Sequence, residues 1–328
     1  MTTALIQASP LASLIYDKKH EQQKDKWISY AYALLTIAGA DGEVSDKEME
    51  WMLNEFMEEL KATDEQKQLV IGFDYKNADL NKLLADIKID LPVNFKRALV
   101  YDAVQMARAD QDYAPEEKEA VIRLAESLGV PFYLARTIEG LVNTEKSLEL
   151  TRKSIFEVEE SSYVTVGNER PLQPEFRMAS VIDRHILGMH YTSDKTQRNY
   201  GYALMMVAGA DREISIQEKK WFKDEFAILS DMPTHIIEDV LSFDYKEGNL
   251  YNIIDEMEVD ISINFSRTLL YNAIKMARAD MNYPQTERDA ANHAARVLGI
   301  PEDIARTIEY LVDTEQKIAS MRKTLFEM

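Results

Sequence analysis

Cysteine is missing from the 328-residue chain, which excludes disulfides and thiol chemistry. No apolar run approaches the roughly 20 residues that a bilayer-spanning helix needs, so direct membrane insertion is not expected. The opening Met1-Thr2-Thr3-Ala4-Leu5-Ile6-Gln7 lacks the basic start and long apolar region of a secretory signal, and a cytoplasmic location fits it. Positive charge is short: 38 lysines and arginines face 57 acidic residues, for a formal net charge of −19. Such a field repels phosphates and anionic headgroups, which argues against nucleic acid and favours cations and basic protein surfaces. The basic clusters Lys18-Lys19, Arg152-Lys153 and Arg322-Lys323 read as solvated helix faces. Strand-like alternation is confined to Tyr163-Val164-Thr165-Val166, inside a stretch punctuated by Gly167, Pro171 and Pro174 that reads as a linker. There is no Gly-rich phosphate loop, nucleophile elbow or His-x-x-x-His pair, and the chain is read as not an enzyme.

What is present is repetition. Ile37-Ala38-Gly39-Ala40-Asp41-Gly42-Glu43-Val44-Ser45-Asp46-Lys47-Glu48 returns as Val207 to Glu218, and weaker copies run from Met106 to Glu117 and from Met276 to Glu287. In all four copies an Asp precedes a Glu by seven residues: Asp41 and Glu48, Asp110 and Glu117, Asp211 and Glu218, Asp280 and Glu287. The pattern predicts a helix end, a tight connection and a new helix. Gly42 supplies a positive φ, and Ser45 with Glu48, like Ser215 with Glu218, makes a capping box. Pro115 stands near the first position of the following helix, and Pro284 one residue earlier in its copy. The small residues Ala38, Gly39 and Ala40 leave room for another backbone to approach closely.

Tyr30 to Glu157 aligns without a gap onto Tyr200 to Glu327, with 52 identities over 128 positions. Apolar spacing predicts helices at about 25–40, 46–60, 64–72, 78–88, 93–109, 116–128 and 131–156, with stops at Gly129-Val130-Pro131 and Gly299-Ile300-Pro301. A short leading helix is expected before each copy, within residues 1–23 and from Met178 to Asp183. The fold class is all-α: a helical domain over 1–157, an irregular linker over 158–176 and a second helical domain over 177–328.

The Ala-Asp-Gly-x-Val-Ser run around Asp41, the helix from Arg97 to Asp110 and the helix from Glu117 to Gly129 resemble the tellurite-resistance TerB-like family. The same domain is similar to the amino-terminal helical domain of a membrane-anchored J-domain co-chaperone. The resemblance covers about 27–157 and again 197–327. It implies a non-catalytic, stress-response module that binds partner proteins within larger assemblies, and acidic residues that hold a divalent cation. Carried onto this chain, the metal residues are Asp41, Glu48, Asp110 and Glu117, and Asp211, Glu218, Asp280 and Glu287. Arg212 and the Gln111-Asp112 and Met281-Asn282 pairs depart from the family's Asp-Gly pattern.

Carboxylate oxygens suit calcium, magnesium or manganese, but the eight-residue spacing is not that of an EF-hand loop. The competing reading is that Glu48 closes a capping box, Asp41 satisfies turn amides and no ion binds. Arg97, Arg108 and Arg136 recur as Arg267, Arg278 and Arg306 and could pair the acids internally. Arg136 with Glu139 and Arg306 with Glu309 have i,i+3 helix-pair spacing. Trp51, Trp221, Phe73, Tyr75, Phe243 and Tyr245 read as core anchors. Two further function classes stay open: a carboxylate-only metal-dependent hydrolase, and a structural repeat protein of a larger assembly.

Overall fold

The computed structural model describes residues 24–60, 62–87, 94–109, 113–156, 177–178, 191–230, 232–257 and 263–326. In the first half, helices run over Lys24–Ala38 (α1), Asp46–Trp51 (α2), Asp64–Ile71 (α3), Leu80–Asp86 (α4), Phe95–Ala107 (α5), Pro115–Leu128 (α6) and Phe132–Phe156 (α7). After a two-residue antiparallel pairing of Arg177–Met178 with Tyr191–Thr192, the same order returns. The second set is Asp194–Ala208 (α8), Ile216–Trp221 (α9), Thr234–Leu241 (α10), Leu250–Asp255 (α11), Ile263–Ala277 (α12), Gln285–Val297 (α13) and Glu302–Phe326 (α14). The all-helical reading therefore holds among the described residues. Met178 corrects one expectation: it is extended and paired with Tyr191 rather than opening a leading helix. The other residues of the two leading helices, and the Tyr163 to Val166 segment, lie outside the described residues.

Two compact units form, Met1–Glu149 with Gln316–Met328, and Leu150–Glu315. They do not coincide with the sequence repeats, because the last residues of α7 belong to the second unit and those of α14 to the first.

The first unit is built on two helices with almost no solvent-facing stripe. In α1, Tyr30, Ala31, Ala33, Leu34, Leu35, Ile37 and Ala38 are buried, and in α5 every residue from Ala98 to Ala107 is. A helix apolar nearly all round belongs inside a core, and here α3, α4, α5 and α6 all pack on α1. The second unit repeats this with α8, against which α10, α11, α12 and α13 pack. Pinning the ends is local chemistry. Gly129 (φ 69°) closes α6, and the Val130 amide reaches back to the Ala125 carbonyl at 2.8 Å.

Helices α2 and α9 are each prolonged by a π-helical turn, Met52–Phe56 and Phe222–Phe226, then a short α-helical turn. The π turns aim Met52 and Phe56, and Phe222 and Phe226, into the core. Tyr30 stacks on Phe56 at 5.7 Å and Tyr200 on Phe226 at 5.5 Å. The aromatic residues singled out from the sequence sit one layer further out: Trp51, Trp221, Phe73, Tyr75, Phe243 and Tyr245 are all half-buried. Their packing is still specific, with Tyr32 on Phe73 at 3.9 Å and Tyr202 on Phe243 at 4.0 Å.

Candidate carboxylate site

The site in the first unit starts where α1 runs out. A single 3-10 turn, Gly39–Asp41, follows Ala38, and Gly42 at φ 113° turns the chain away. Bare Cα at Gly39 is required, but not for a neighbouring backbone as expected: a Cβ there would overlap the Tyr75 ring. Tyr75 then receives the Val44 amide on its hydroxyl at 3.3 Å, locking the loop. Gly209 lies under Tyr245 in the same way, and the Tyr245 hydroxyl donates to the Arg212 carbonyl.

Past this turn, Ser45 caps α2. Glu48 accepts the Ser45 amide at 2.7 Å, while Ser45 Oγ accepts the Glu48 amide at 3.3 Å. Opposite stands α6, on which the Gly39–Asp41 turn packs. Its Glu117 accepts the Ala114 amide at 2.8 Å, with Pro115 in the first helical position as the sequence predicts. Both glutamates sit at helix N-termini, where amides and the dipole favour negative charge. Both are also buried, at 2% and 3% exposure.

Burial and proximity set their chemistry. Desolvation and a hydrogen bond to Glu48 push the Glu117 carboxyl up to about 8, with the charges of Glu48 and Asp41 acting in the same direction. Both causes favour the protonated form of Glu117, which can donate to Glu48. Asp41 itself is exposed and accepts the Glu43 amide at 3.0 Å. The capping-box and turn roles weighed from the sequence are thus both realised, and three of the four predicted residues, Asp41, Glu48 and Glu117, fall in one neighbourhood. Asp110 lies outside the described residues. Among the described residues no three acidic or histidine side chains meet in metal-holding geometry. The donor chemistry nonetheless fits a hard divalent ion, since every group is a carboxylate and Glu48 and Asp41 both raise Glu117 by their charge.

In the second unit Glu218 accepts the Ser215 amide at 2.6 Å, and Glu287 is buried on the first turn of α13. Asp280 accepts the Asn282 amide at 2.7 Å. Backbone of Asp211 ends the 3-10 turn Gly209–Asp211. Two residues hold positive φ where glycine is usual: Arg212 (78°) and Met281 (67°).

The recurring arginines reach other partners as well as those expected. Arg97 donates to the Leu325 carbonyl at 3.0 Å and Arg267 to the Ile155 carbonyl at 2.7 Å, while Arg278 pairs with Asp313. Arg136 does meet Glu139, but Arg306 turns to Glu302 and leaves Glu309 to Arg288, because the i−4 carboxylate is the better placed one. No ion pair involves Asp41 among the described residues.

Residues 27–133 match the family model of the tellurite resistance protein TerB. This TerB-like stretch runs from α1 to the first turn of α7, and so takes in Asp41, Glu48, Asp110 and Glu117. Neither a curated protein nor a solved structure matches the chain. No helix among the described residues is long and apolar enough to cross a membrane.

The sequence reading missed the most buried ionic groups. Tyr101 donates to Glu145 Oε2 at 2.6 Å, and Glu145 is fully buried; Arg322 donates to Glu145 Oε1 at 2.6 Å and also reaches the Tyr101 hydroxyl. Arg322 and Arg152, read as solvated, are the counter-charges of the buried Glu145 and the half-buried Glu315. Their repetition at one register at the very end of both repeats, within Arg-Lys-x-x-Phe-Glu, was the available signal.

Proposed function

We propose that the chain is a non-catalytic helical scaffold built of two TerB-like modules, a tellurite-resistance and stress-response protein of the cytoplasm that binds partner proteins under control of a divalent cation. The ion is held by Asp41, Glu48, Asp110 and Glu117, and in the second module by Asp211, Glu218, Asp280 and Glu287. The observation that carries this reading is the Glu48–Glu117 pair. Two buried carboxylates meet beside the charge of Asp41, which favours a protonated Glu117, and a hard cation would displace that proton. Because both glutamates also anchor helix N-termini, occupancy of the site would be felt by α2 and α6 together.

Linkage gives the test its sign. Glu117 is raised in the folded state, so its contribution is complete below the unfolded glutamate value near ~4.3 and is lost as pH rises to about 8. In chelator the melting temperature should fall between pH 5 and 8, and Glu117→Gln should flatten that slope. Calcium, magnesium or manganese should restore stability at pH 8 by about 2.7 kcal/mol at a hundredfold excess over Kd. Asp41→Asn should remove most of the gain. Wild-type melting that ignores all three ions would defeat the cation reading and leave the acid pair as structural.

A further inference from the structure

The ends of the two long helices share a sequence, Arg152-Lys153-Ser154-Ile155-Phe156 in α7 and Arg322-Lys323-Thr324-Leu325-Phe326 in α14. Each is seated in an acceptor made by residues of the other repeat, and the two seats share a tyrosine, a glutamate and a carbonyl-holding arginine at the same repeat positions. In the first unit Arg322 lies over the Tyr101 ring at 5.2 Å and donates to Glu145 at 2.6 Å. Phe326 meets Tyr101 edge-on at 5.4 Å, Arg97 holds the Leu325 carbonyl at 3.0 Å, and the Asn94 amide holds the Phe326 carbonyl at 3.0 Å. In the second unit Arg152 lies over Tyr271 at 5.1 Å and donates to Glu315 at 2.6 Å. Phe156 meets Tyr271 edge-on at 5.5 Å, and Arg267 holds the Ile155 carbonyl at 2.7 Å.

The recognition is therefore modular. A carboxylate and a tyrosine hydroxyl read the guanidinium, the same tyrosine ring reads both the guanidinium face and the phenylalanine, and an arginine reads one carbonyl. Nothing in an acceptor depends on which chain delivers the motif, and this protein already shows two different helix ends in two seats built on the same tyrosine, glutamate and arginine positions.

We infer that the Tyr101–Glu145 acceptor is a docking site for the Arg-Lys-x-aliphatic-Phe helix end of a second copy of this chain, so that two copies can associate by exchanging residues 316–326. In an undisturbed chain the tethered end competes at an effective concentration on the order of mM, and exchange appears when that end is weakened or the protein is concentrated.

The test uses two full-length chains with different affinity tags. Glu145→Arg places two cations across the acceptor, and Arg322→Glu places two anions there, so neither chain seats its own end. In a mixture each end finds an opposite charge on the other chain. Capture on one tag should bring down the other chain at least tenfold more than in a mixture of wild-type chains. A chain carrying both substitutions closes on itself and should lose that gain. Capture no greater than between wild-type chains overturns the proposal. Should the charge reversals prevent folding, full-length Arg322→Gln provides a milder variant. It should bind a labelled peptide of residues 314–326 at least tenfold more tightly than the same peptide with Arg322→Glu, and a peptide of residues 144–156 should compete within tenfold. Failure of either peptide to bind overturns the proposal as well.

Discussion

The two units solve the same packing problem with different buried chemistry. Beneath α1, Tyr30 donates to Asp102 at 2.6 Å, and Asp102 is fully buried; at the same place in the second unit Asn272 donates to Tyr200 at 2.9 Å. One turn further along, Gln105 donates to Tyr101 at 2.8 Å, whereas its counterpart Lys275 sits over the Tyr271 ring at 5.4 Å. Tyr271 and Glu315 hold the Lys275 ammonium above its usual range. The first unit thus has a second buried carboxylate where the second has an amide, and one cation on its glutamate where the second has two. Helix packing fixes where polar atoms meet. Whether they meet as ions or as neutral donors is left to individual residues, provided each buried atom finds a partner.

That contrast can be broken most forcefully at the helix ends. Arg322→Ala leaves Glu145 as a buried carboxylate without its counter-charge and should lower stability by about 3–5 kcal/mol. Arg152→Ala should cost less, about 1–3 kcal/mol, because Lys275 remains beside Glu315. Urea unfolding followed by circular dichroism measures both, and equal losses would show that Lys275 does not substitute.

A finer cut falls at the tyrosines. Tyr30→Phe removes a donor from a buried carboxylate and should cost about 1.5–3 kcal/mol, against about 0.5–1.5 for Tyr200→Phe, whose bond is between neutral groups. A larger loss at Tyr200 would reverse the assignment of charge to the first unit.

The smallest expected difference lies in the turns. Arg212 occupies the left-handed region that Gly42 occupies in the first unit. Arg212→Gly should raise stability by no more than about 1 kcal/mol, and Gly42→Arg should lower it by about as much. The urea midpoint should move with an unchanged slope in both cases.

Local chemistry made most of the fold legible from sequence. Ser45 with Glu48, Pro115 and Gly129 each mark a helix end through contacts made within a few residues, and the buried run of α5 betrays itself by lacking a polar face. At the acid site the capping roles of Glu48 and Glu117 could be read separately. Their meeting could not, since it depends on α2 and α6 being packed together. Arg322 was misread for the same reason: its partner Glu145 lies 177 residues away, and an Arg-Lys pair at a helix end looks solvated until that partner is known. Tyr75 belongs in this class too, since only the folded chain brings its ring over Gly39.

The paired π-helical turns hold their register while their sequences differ. A π turn accommodates one residue more than the α-helix around it, and the two copies, Met52-Leu53-Asn54-Glu55-Phe56 and Phe222-Lys223-Asp224-Glu225-Phe226, keep only the final Glu-Phe in common. Yet the repeats align without a gap through both. The extra residue therefore sits at one register in both repeats, and the irregular helix is kept although three of its five residues differ between them.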